Sequence, residues 1–576
     1  MKRRNFIKNV ASGSSLLIAG DIHNLNHFSP DESVKDSRDE ILELSADVAI
    51  LGGGLGGVAA ALSLAKENRT VILTEETDWI GGQISQQGVP PDEHRWIETT
   101  GATQTYRDFR NAIRNYYRRN YPLKEKLKQD PFLNPGSGGV SRICHEPRVA
   151  VAVLTEFLAP FISNGKIKLL LNHKAISAST TKDKVTQVEV INDITKTKKL
   201  LRAAYFLDAT ELGDLLPMTG TEFVTGTESK KQTGELHASE KGDPNNVQAF
   251  TMCMAIDYVP GGNHIIQKPP QYEFWRNFTP QLTPAWPGKL LDLHYSTPKT
   301  LVPKQLAFDP SGRNYAGTLN LWNYRKIINS KNFDEDFYPG DITVVNWPQN
   351  DYLLGNLIGA SRKDFEKHIA ASQQLSLSLL YWLQTEVKRP DGGKGWPGLR
   401  LRKDIMGTEN GLAKFPYIRE SRRIKAKFTI LEQHVGAENR LITAMENEDN
   451  TTAAWFNDSV GIGYYHIDLH PSTSGNNYID FPSLRFQIPL GALLPVRMKN
   501  LLPVNKNIGT THITNGCYRL HPVEWSIGEA VGWVIGYSLN NRTTPLEIWS
   551  QNNLLKNFQE YIRKRGVETE WPKGIK

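Results

Sequence analysis

Three glycines at fixed spacing carry the clearest chemistry in the chain. In the stretch DVAILGGGLGGVAAALSLAKENRTVILTEETDWIGGQ, residues 47–83, Gly52, Gly54 and Gly57 fit G-x-G-x-x-G, with Leu55 inside the turn. The first glycine makes the tight turn, the second lets a pyrophosphate approach the backbone, and the third packs helix on strand. Such a turn works only between particular elements, and the flanking residues supply them. Asp47–Leu51 reads as a short buried strand, and Val58–Lys66 as a small, apolar helix whose free N–H groups face the phosphates. Thr70–Thr74 reads as a second strand, ending at Glu75, where a carboxylate takes the hydroxyls of an adenosine ribose. A dinucleotide is therefore expected here. Glu75 would repel a 2′-phosphate, which argues against NADP and leaves NAD and FAD.

Composition sets outer limits. The 576 residues are 39% hydrophobic and 22% charged, the balance of a soluble globular protein with room for a large core. No stretch approaches the roughly 20 apolar residues of a membrane span. Of the formal charge of +7, residues 1–30 contribute +3, from Lys2, Arg3, Arg4 and Lys8 against Asp21. The remaining +4 is too little to argue for nucleic acid. Cys144, Cys253 and Cys517 are widely separated, so neither iron–sulfur ligation nor C-x-x-C redox chemistry has its ligands.

Along the chain, Lys2–Lys8 resembles a twin-arginine export signal, and residues 21–45 read as a polar linker, which together place the protein in the periplasm or outside the cell. The Gly- and Pro-rich stretch after Gln83 is a long loop, of the kind that is more often functional than idle. The spacing predicts a helix over 105–117 with Arg107, Arg110, Arg114 and Arg118 on one face, read as a solvated basic face in preference to an anion-binding one. Cys144, His145 and Arg148 stand just ahead of an apolar helix, where His145 could approach a cofactor ring or pack as a buried structural group. IKLLLNH, KVTQVEVI and AAYFLDA, within residues 167–209, read as a meander of strands. Residues 236–485 lose the βαβ rhythm and are rich in Trp, Tyr, Pro and Asn, with one long amphipathic helix over 362–387.

Several motifs in order carry a resemblance. The Gly52 turn, Gly81-Gly82-Gln83 in WIGGQ, Asp208-Ala209-Thr210 in FLDATELGDL, and IRESRRI over 418–424 resemble a broad family of FAD-dependent oxidoreductases, often labelled as related to the flavin subunit of heterodisulfide reductase. The Gly81-Gly82 pair in particular resembles the one in FAD enzymes of the glutathione-reductase type. The resemblance covers most of residues 46–540. It implies an α/β fold: a Rossmann-like FAD-binding domain, with parallel sheet and β-meander, carrying a large inserted α+β substrate domain. The expected order is signal and linker 1–45, FAD domain 46–235, insert 236–485, FAD domain again 486–545, and a C-terminal tail 546–576. FAD is expected to be held non-covalently by Gly52, Gly54, Leu55, Gly57, Glu75, Gly81, Gly82, Gln83, Asp208, Ala209, Thr210 and Gly528. The iron–sulfur part of the resemblance lacks its cysteines and is not carried over.

The resemblance also implies that a final helix, read as Ser526–Leu539, points its N-terminus at the flavin, with Gly528, Ala530 and Gly532 allowing close approach. His512, Arg519 and His521 then fall in the loop bordering the isoalloxazine, where histidine suits proton transfer. Asn505 and Asn507 stand where many relatives place a Gly-Asp pair. Arg419–Ile424 reads as a strand, with Arg419, Ser421 and Arg423 on one face, either to bind a substrate carboxylate or to pair with Glu420. His466, Asp468 and His470 share a face and read as pocket lining in preference to a metal site. The expected catalytic residues are His521, Arg419, His512 and His145. The leading reading is removal of hydride from a small polar molecule, such as a sugar derivative, onto flavin N5, with oxygen, a quinone or a protein as electron acceptor. A flavin-containing lyase or isomerase and a flavin-binding sensor are the alternatives.

Overall fold

In the computed structural model, residues 41–444 and 451–575 are described. The expected export signal and nearly all of the linker lie outside them. The chain from Leu42 to Lys576 forms one unit, whose two larger sheets have seven and four strands. β1 (Leu42–Leu51) leads through the glycine turn into α1 (Leu55–Lys66), and β2 (Val71–Glu75) returns parallel to β1. Two long helices follow, α2 (Gln104–Asn120) and α3 (Pro147–Ser163). β3 (Ile167–Leu171) then pairs parallel with β2. β4 (His173–Thr181), β5 (Lys184–Asn192) and β6 (Lys198–Asp208) form an antiparallel meander whose last strand lies parallel to β1. IKLLL is thus an outer parallel strand rather than part of the meander, because α3 crosses over before it and reverses the chain.

The inner part of β1 is a continuous apolar run because both faces of the sheet are covered. Val48 and Ile50 point into the main core, Ala49 and Leu51 into a second core with Val188, Phe206 and Leu501.

The intervening region builds a second, antiparallel sheet from β7 (Met254–Tyr258), β8 (Lys326–Ile328), β9 (Ile342–Val345) and β10 (Leu399–Leu401), in the order β8-β9-β7-β10. α4 (Arg362–Thr385) carries Leu375 and Leu379 into the core, with Phe365 and Ile369 partly covered. The chain then returns to the first sheet. β11 (Leu501–Pro503) pairs parallel with the end of β6, and α5 (His512–Tyr518) and α6 (His521–Asn541) follow. Among the described residues no helix is long and apolar enough to cross a membrane.

α6 packs along α1, and the sequence of both helices explains the fit. Gly528 meets the Gly56 backbone and Gly532 that of Ala60; a Cβ at Gly528 would lie 2.0 Å from the Gly56 carbonyl oxygen. Only a glycine there lets the helices touch backbone to backbone. Gly528, expected against the cofactor, is therefore found in a helix–helix seam.

Candidate functional site

The turn between β1 and α1 is shaped by its neighbour. Leu51 is in register with Asp208, so the two strands end together and Gly52 lies against Ala209. Gly52 has φ +107°, and a Cβ on it would stand 2.2 Å from the Ala209 carbonyl oxygen. Gly54 caps α1 without any side-chain hydrogen bond, which leaves the helix N–H groups for other acceptors. One of them, Gly56 N–H, donates to Glu524 Oε1 at 3.3 Å. Gly81 N–H donates to the Gly53 carbonyl at 2.8 Å and so fastens the second glycine pair beside the first.

Glu75 is buried at the end of β2. Its Oε2 accepts from Gly53 N–H at 2.9 Å, and its Oε1 accepts from Thr77 N–H and Gln86 Nε2. Burial pushes its carboxyl up to about 7, although these donors oppose the shift. It lines a cleft with Gly52, Gly54, Thr210, His173 and Lys174; the last two, at the start of β4, gave no signal in the sequence. Asp208 serves the turn itself. Its Oδ1 accepts from Thr210 N–H and Oγ1, its Oδ2 from Leu215 N–H, and burial pushes it up to about 7.

Gln83 joins the glycine turns to α6. Its Nε2 donates to the Arg519 carbonyl at 2.9 Å and to Glu524 Oε2, while its Oε1 has no partner. Glu211 Oε2 accepts from Lys506 Nζ, and its Oε1 is again without a partner. Glu211, Lys506 and Glu524 are all buried beside the turn, and none was singled out in the sequence. Glu524 is held above the ordinary carboxyl range by burial, against the pull of Lys506.

α6 begins five residues earlier than expected. Pro522 occupies its first turn, where a missing N–H costs nothing, so His521 is helical rather than in a loop. His512 likewise opens α5. His521 Nδ1 accepts from Asp92 N–H at 3.1 Å, so the neutral ring carries its proton on Nε2, which is buried without a partner. Burial pushes the imidazole down to about 4. At neutral pH it is a hydrogen-bond donor, where the sequence suggested a proton carrier.

Asp92 comes from the long loop after Gln83, and α2 holds that loop in place. Arg110 bonds Glu93 at 2.9 Å and Glu98 at 2.5 Å, and Arg114 bonds Glu98 at 2.7 Å. Burial opposes ionisation of Glu98, but the two guanidiniums hold its carboxyl down at about 2. The arginine face expected to be solvated is covered by the loop that it ties down, and Arg110 and Arg114 are among the most completely buried side chains.

Around Asp92 lies a buried polar centre drawn from both parts of the chain. Arg325 Nη2 is 3.3 Å from Asp92 Oδ1. Arg519 donates to Tyr417 Oη at 3.0 Å and to Asp468 Oδ2 at 3.1 Å. Arg419 stacks on the Tyr417 ring at 4.9 Å and reaches Asp351 at 3.1 Å. Asp351 also receives His470 Nδ1 at 2.6 Å, and His470 Nε2 is 3.7 Å from Asp468. Burial works against ionisation of Asp468, yet His470 and Arg519 keep it well below the usual carboxylate range.

Of the residues expected to be catalytic, His521 and Arg419 join this centre. His512 bonds Glu420 at 2.9 Å. His145 donates through Nδ1 to the Glu146 carbonyl, leaving Nε2 buried and unpartnered near the loop anchor. The arginine-rich stretch does not alternate as a strand: only Arg423–Ile424 pairs, with Phe223–Val224, and Arg423 turns to Glu420 at 2.6 Å. His466, Asp468 and His470 each have separate partners, Asp480, Arg519 and Asp351. No group of three or more His, Cys, Asp or Glu side chains able to hold a metal is found among the described residues.

These residues suit a bound dinucleotide. The glycine turn and the start of α6 touch through Gly56 and Glu524, so one extended cofactor reaches both. Gln83 Oε1, Glu211 Oε1, Arg519 Nε and His521 Nε2 are buried polar atoms with no protein partner in that stretch, and such atoms call for a ligand or water.

Comparison with known proteins agrees with the fit. A family model described as FAD dependent oxidoreductase matches residues 47–562. No curated protein matches. Among solved structures, L-proline dehydrogenase from P. horikoshii is 19% identical, with 33% of this chain and 25% of that one covered and a TM-score of 0.18. Glycerol-3-phosphate dehydrogenase from Bacillus halodurans, complexed with FAD, is 14% identical, with 37% and 40% covered and a TM-score of 0.21. Quinol fumarate reductase from E. coli is 10% identical, with 91% and 74% covered and a TM-score of 0.33. The chain spans 25%, 35% and 40% of the length of the first three solved structures matched. The family match names the broad family rather than the heterodisulfide reductase flavin subunit in particular. With a family model matching nearly the whole described chain, and a nucleotide turn and helix built to receive the cofactor, this protein belongs to the family of FAD-dependent oxidoreductases, whose cofactor is FAD.

Proposed function

We infer that the enzyme is a dehydrogenase or oxidase that takes hydride from a small polar organic molecule held in the buried centre around Asp92, Arg325, Arg419 and His470. One observation carries this reading. The centre joins loop residues of the FAD lobe to residues of the 236–485 insert, and it is continuous with His521 at the start of α6 through Asp92. FAD, when bound, supplies a hydride acceptor at its N5.

Residues of the chain divide the remaining tasks. Arg519 and Arg419 are each fixed by several acceptors and form a rigid cationic wall. His470 is oriented by Asp351 through Nδ1, with Nε2 3.7 Å from Asp468; in its neutral form the ring relays the proton that leaves as the substrate is oxidised. His521 Nε2–H serves as a fixed donor. The insert acts as the substrate domain and, with the loop after Gln83, excludes water from the centre. Oxygen, a quinone or a protein partner would be the final electron acceptor.

The test is anaerobic mixing of the FAD-loaded protein with sugars, amines and hydroxy acids. Bleaching of the oxidised flavin band by one class supports the reading; turnover without bleaching would favour a lyase or isomerase. His470→Gln should slow that bleaching by about a hundredfold if the residue is the base, and an unchanged rate would remove it from this role. Residues 1–20 are proposed as a twin-arginine export signal. Replacing Arg3 and Arg4 by lysine should then retain the protein in the cytoplasm, and undiminished export would dismiss the signal.

A further inference from the structure

Arg325 differs from every other arginine of the centre in how few hydrogen bonds it makes, although its guanidinium lies over the Tyr324 ring at 5.0 Å. It is 8% exposed and stands immediately before β8. Its Nη2 approaches Asp92 Oδ1 at 3.3 Å, and its Nε and Nη1 have no partner. Burial favours loss of its proton, but Asp92 together with the surrounding Tyr324, Tyr417 and Tyr465 outweighs this, so the guanidinium stays charged. Arg419 and Arg519, by contrast, each place both terminal nitrogens on named acceptors and leave only Nε unpaired. A buried charged donor without an acceptor is among the costlier things a fold can carry. The position is made for a ligand, and the ligand must bring acceptors.

Asp92 sharpens that requirement. Its Oδ1 lies within ion-pair distance of Arg325, yet accepts no hydrogen bond of acceptable geometry. Free donors on the cation and a free acceptor on the carboxylate thus stand side by side. A plain carboxylate would satisfy the first and be repelled by the second. A polyol would satisfy the second and leave the cation unpaired. A molecule carrying both a carboxylate and an adjacent O–H or N–H group satisfies both. The cofactor cannot answer for this pair alone: the donors on the approach to α6, Arg519 Nε and His521 Nε2, are those nearest its expected place, whereas Arg325 belongs to the insert.

We propose that Arg325 and Asp92 form a paired recognition site for a small acid bearing a hydroxyl or amino group beside its carboxylate, and that the enzyme's substrate belongs to this class. The proposal rests on the reading of the buried centre as the substrate site. Arg325 takes the carboxylate through Nη1, and Asp92 Oδ1 takes the neighbouring O–H or N–H. The substituent to be oxidised is thereby held on the His521 side of the centre, since Asp92 N–H already binds that ring. This replaces the sugar derivative suggested by the aromatic- and amide-rich insert.

The test uses the FAD-loaded protein under anaerobic conditions and follows the flavin absorption band on titration with four probes: DL-lactate, DL-alanine, propionate and propane-1,2-diol. Lactate or alanine should bleach or shift the band in a saturable manner and so tell a hydroxy acid from an amino acid. Propionate should bind about tenfold more weakly, and the diol should have no effect. Arg325→Met/Asp92→Asn removes both charges together and leaves no lone ion to disturb folding; it should keep FAD but weaken the response at least about thirtyfold. Arg325→Lys should restore part of it, and Asp92→Asn alone should narrow the gap between lactate and propionate. The proposal is overturned if the double variant responds as the wild type does, if the diol binds as well as lactate, or if FAD-loaded protein ignores all four probes. Failure to take up FAD at all would instead undo the flavoenzyme reading beneath it.

Discussion

Two sets of buried arginines divide the molecule. On α2, Arg110 and Arg114 spend their donors on Glu93, Glu98 and the Leu133 carbonyl. In the polar centre, Arg325 has one loose ion pair and idle nitrogens. Burial is the same in kind, but the accounting is opposite. The difference teaches that a buried cation announces function only when its hydrogen bonds do not close within the protein. The α2 set fixes a loop, whereas the Arg325 set waits for a partner from outside.

The largest test of that contrast is Arg110→Met. It strands Glu93 without its cation, leaves Glu98 to Arg114 alone, and should cost about 3–5 kcal/mol of unfolding free energy in urea titration. Arg325→Met/Asp92→Asn, which leaves no lone buried ion, should cost far less, about 1 kcal/mol. Equal losses would erase the distinction. Next, Gly528→Ala drives a methyl group into the Gly56 carbonyl and should remove about 2–3 kcal/mol together with most bound FAD. A variant that keeps its FAD would show that the seam and the cofactor turn are independent.

A smaller effect is expected at Glu524, which holds the Gly56 N–H that a phosphate would otherwise use. Burial raises its carboxyl, so it is more protonated at low pH and more charged as pH rises. FAD affinity of the wild type should therefore weaken about tenfold between roughly pH 6 and 8.5, and that slope should vanish in Glu524→Gln. A pH-dependence that survives the substitution would place its origin elsewhere. The smallest effect concerns Glu98. Its carboxyl sits at about 2 in the folded protein against an ordinary 4.5. The stability this gives is complete above about pH 4.5 and is lost as pH falls towards 2. Glu98→Gln should move the acid-unfolding midpoint upward by about half a unit.

What the sequence revealed follows from how local each signal is. Gly52, Gly54, Gly57 and Glu75 sit within one βαβ unit, so spacing alone sufficed to place them. The arginine row of α2 was also seen, but spacing cannot say which loop will cover a helix face. Arg419–Ile424 failed as a strand because its neighbours demand otherwise: Arg419 is drawn to Asp351 and Arg423 back to Glu420 and Glu228. The start of α6 was recoverable, since His-Pro-Val-Glu places a proline and an acid in a first helical turn. Asp92 lay in a loop already singled out by its length. Arg325, in NYRKI, had no local mark, because its meaning comes from an aspartate 233 positions earlier in the chain.

The seam between α1 and α6 bears on how the enzyme is made. Gly56 and Glu524 are 468 residues apart, so the nucleotide turn leaves the ribosome early and the helix that closes it emerges near the end. A growing chain therefore carries the nucleotide turn without its closing helix until the last tenth is synthesised, and truncation of that stretch should weaken cofactor retention.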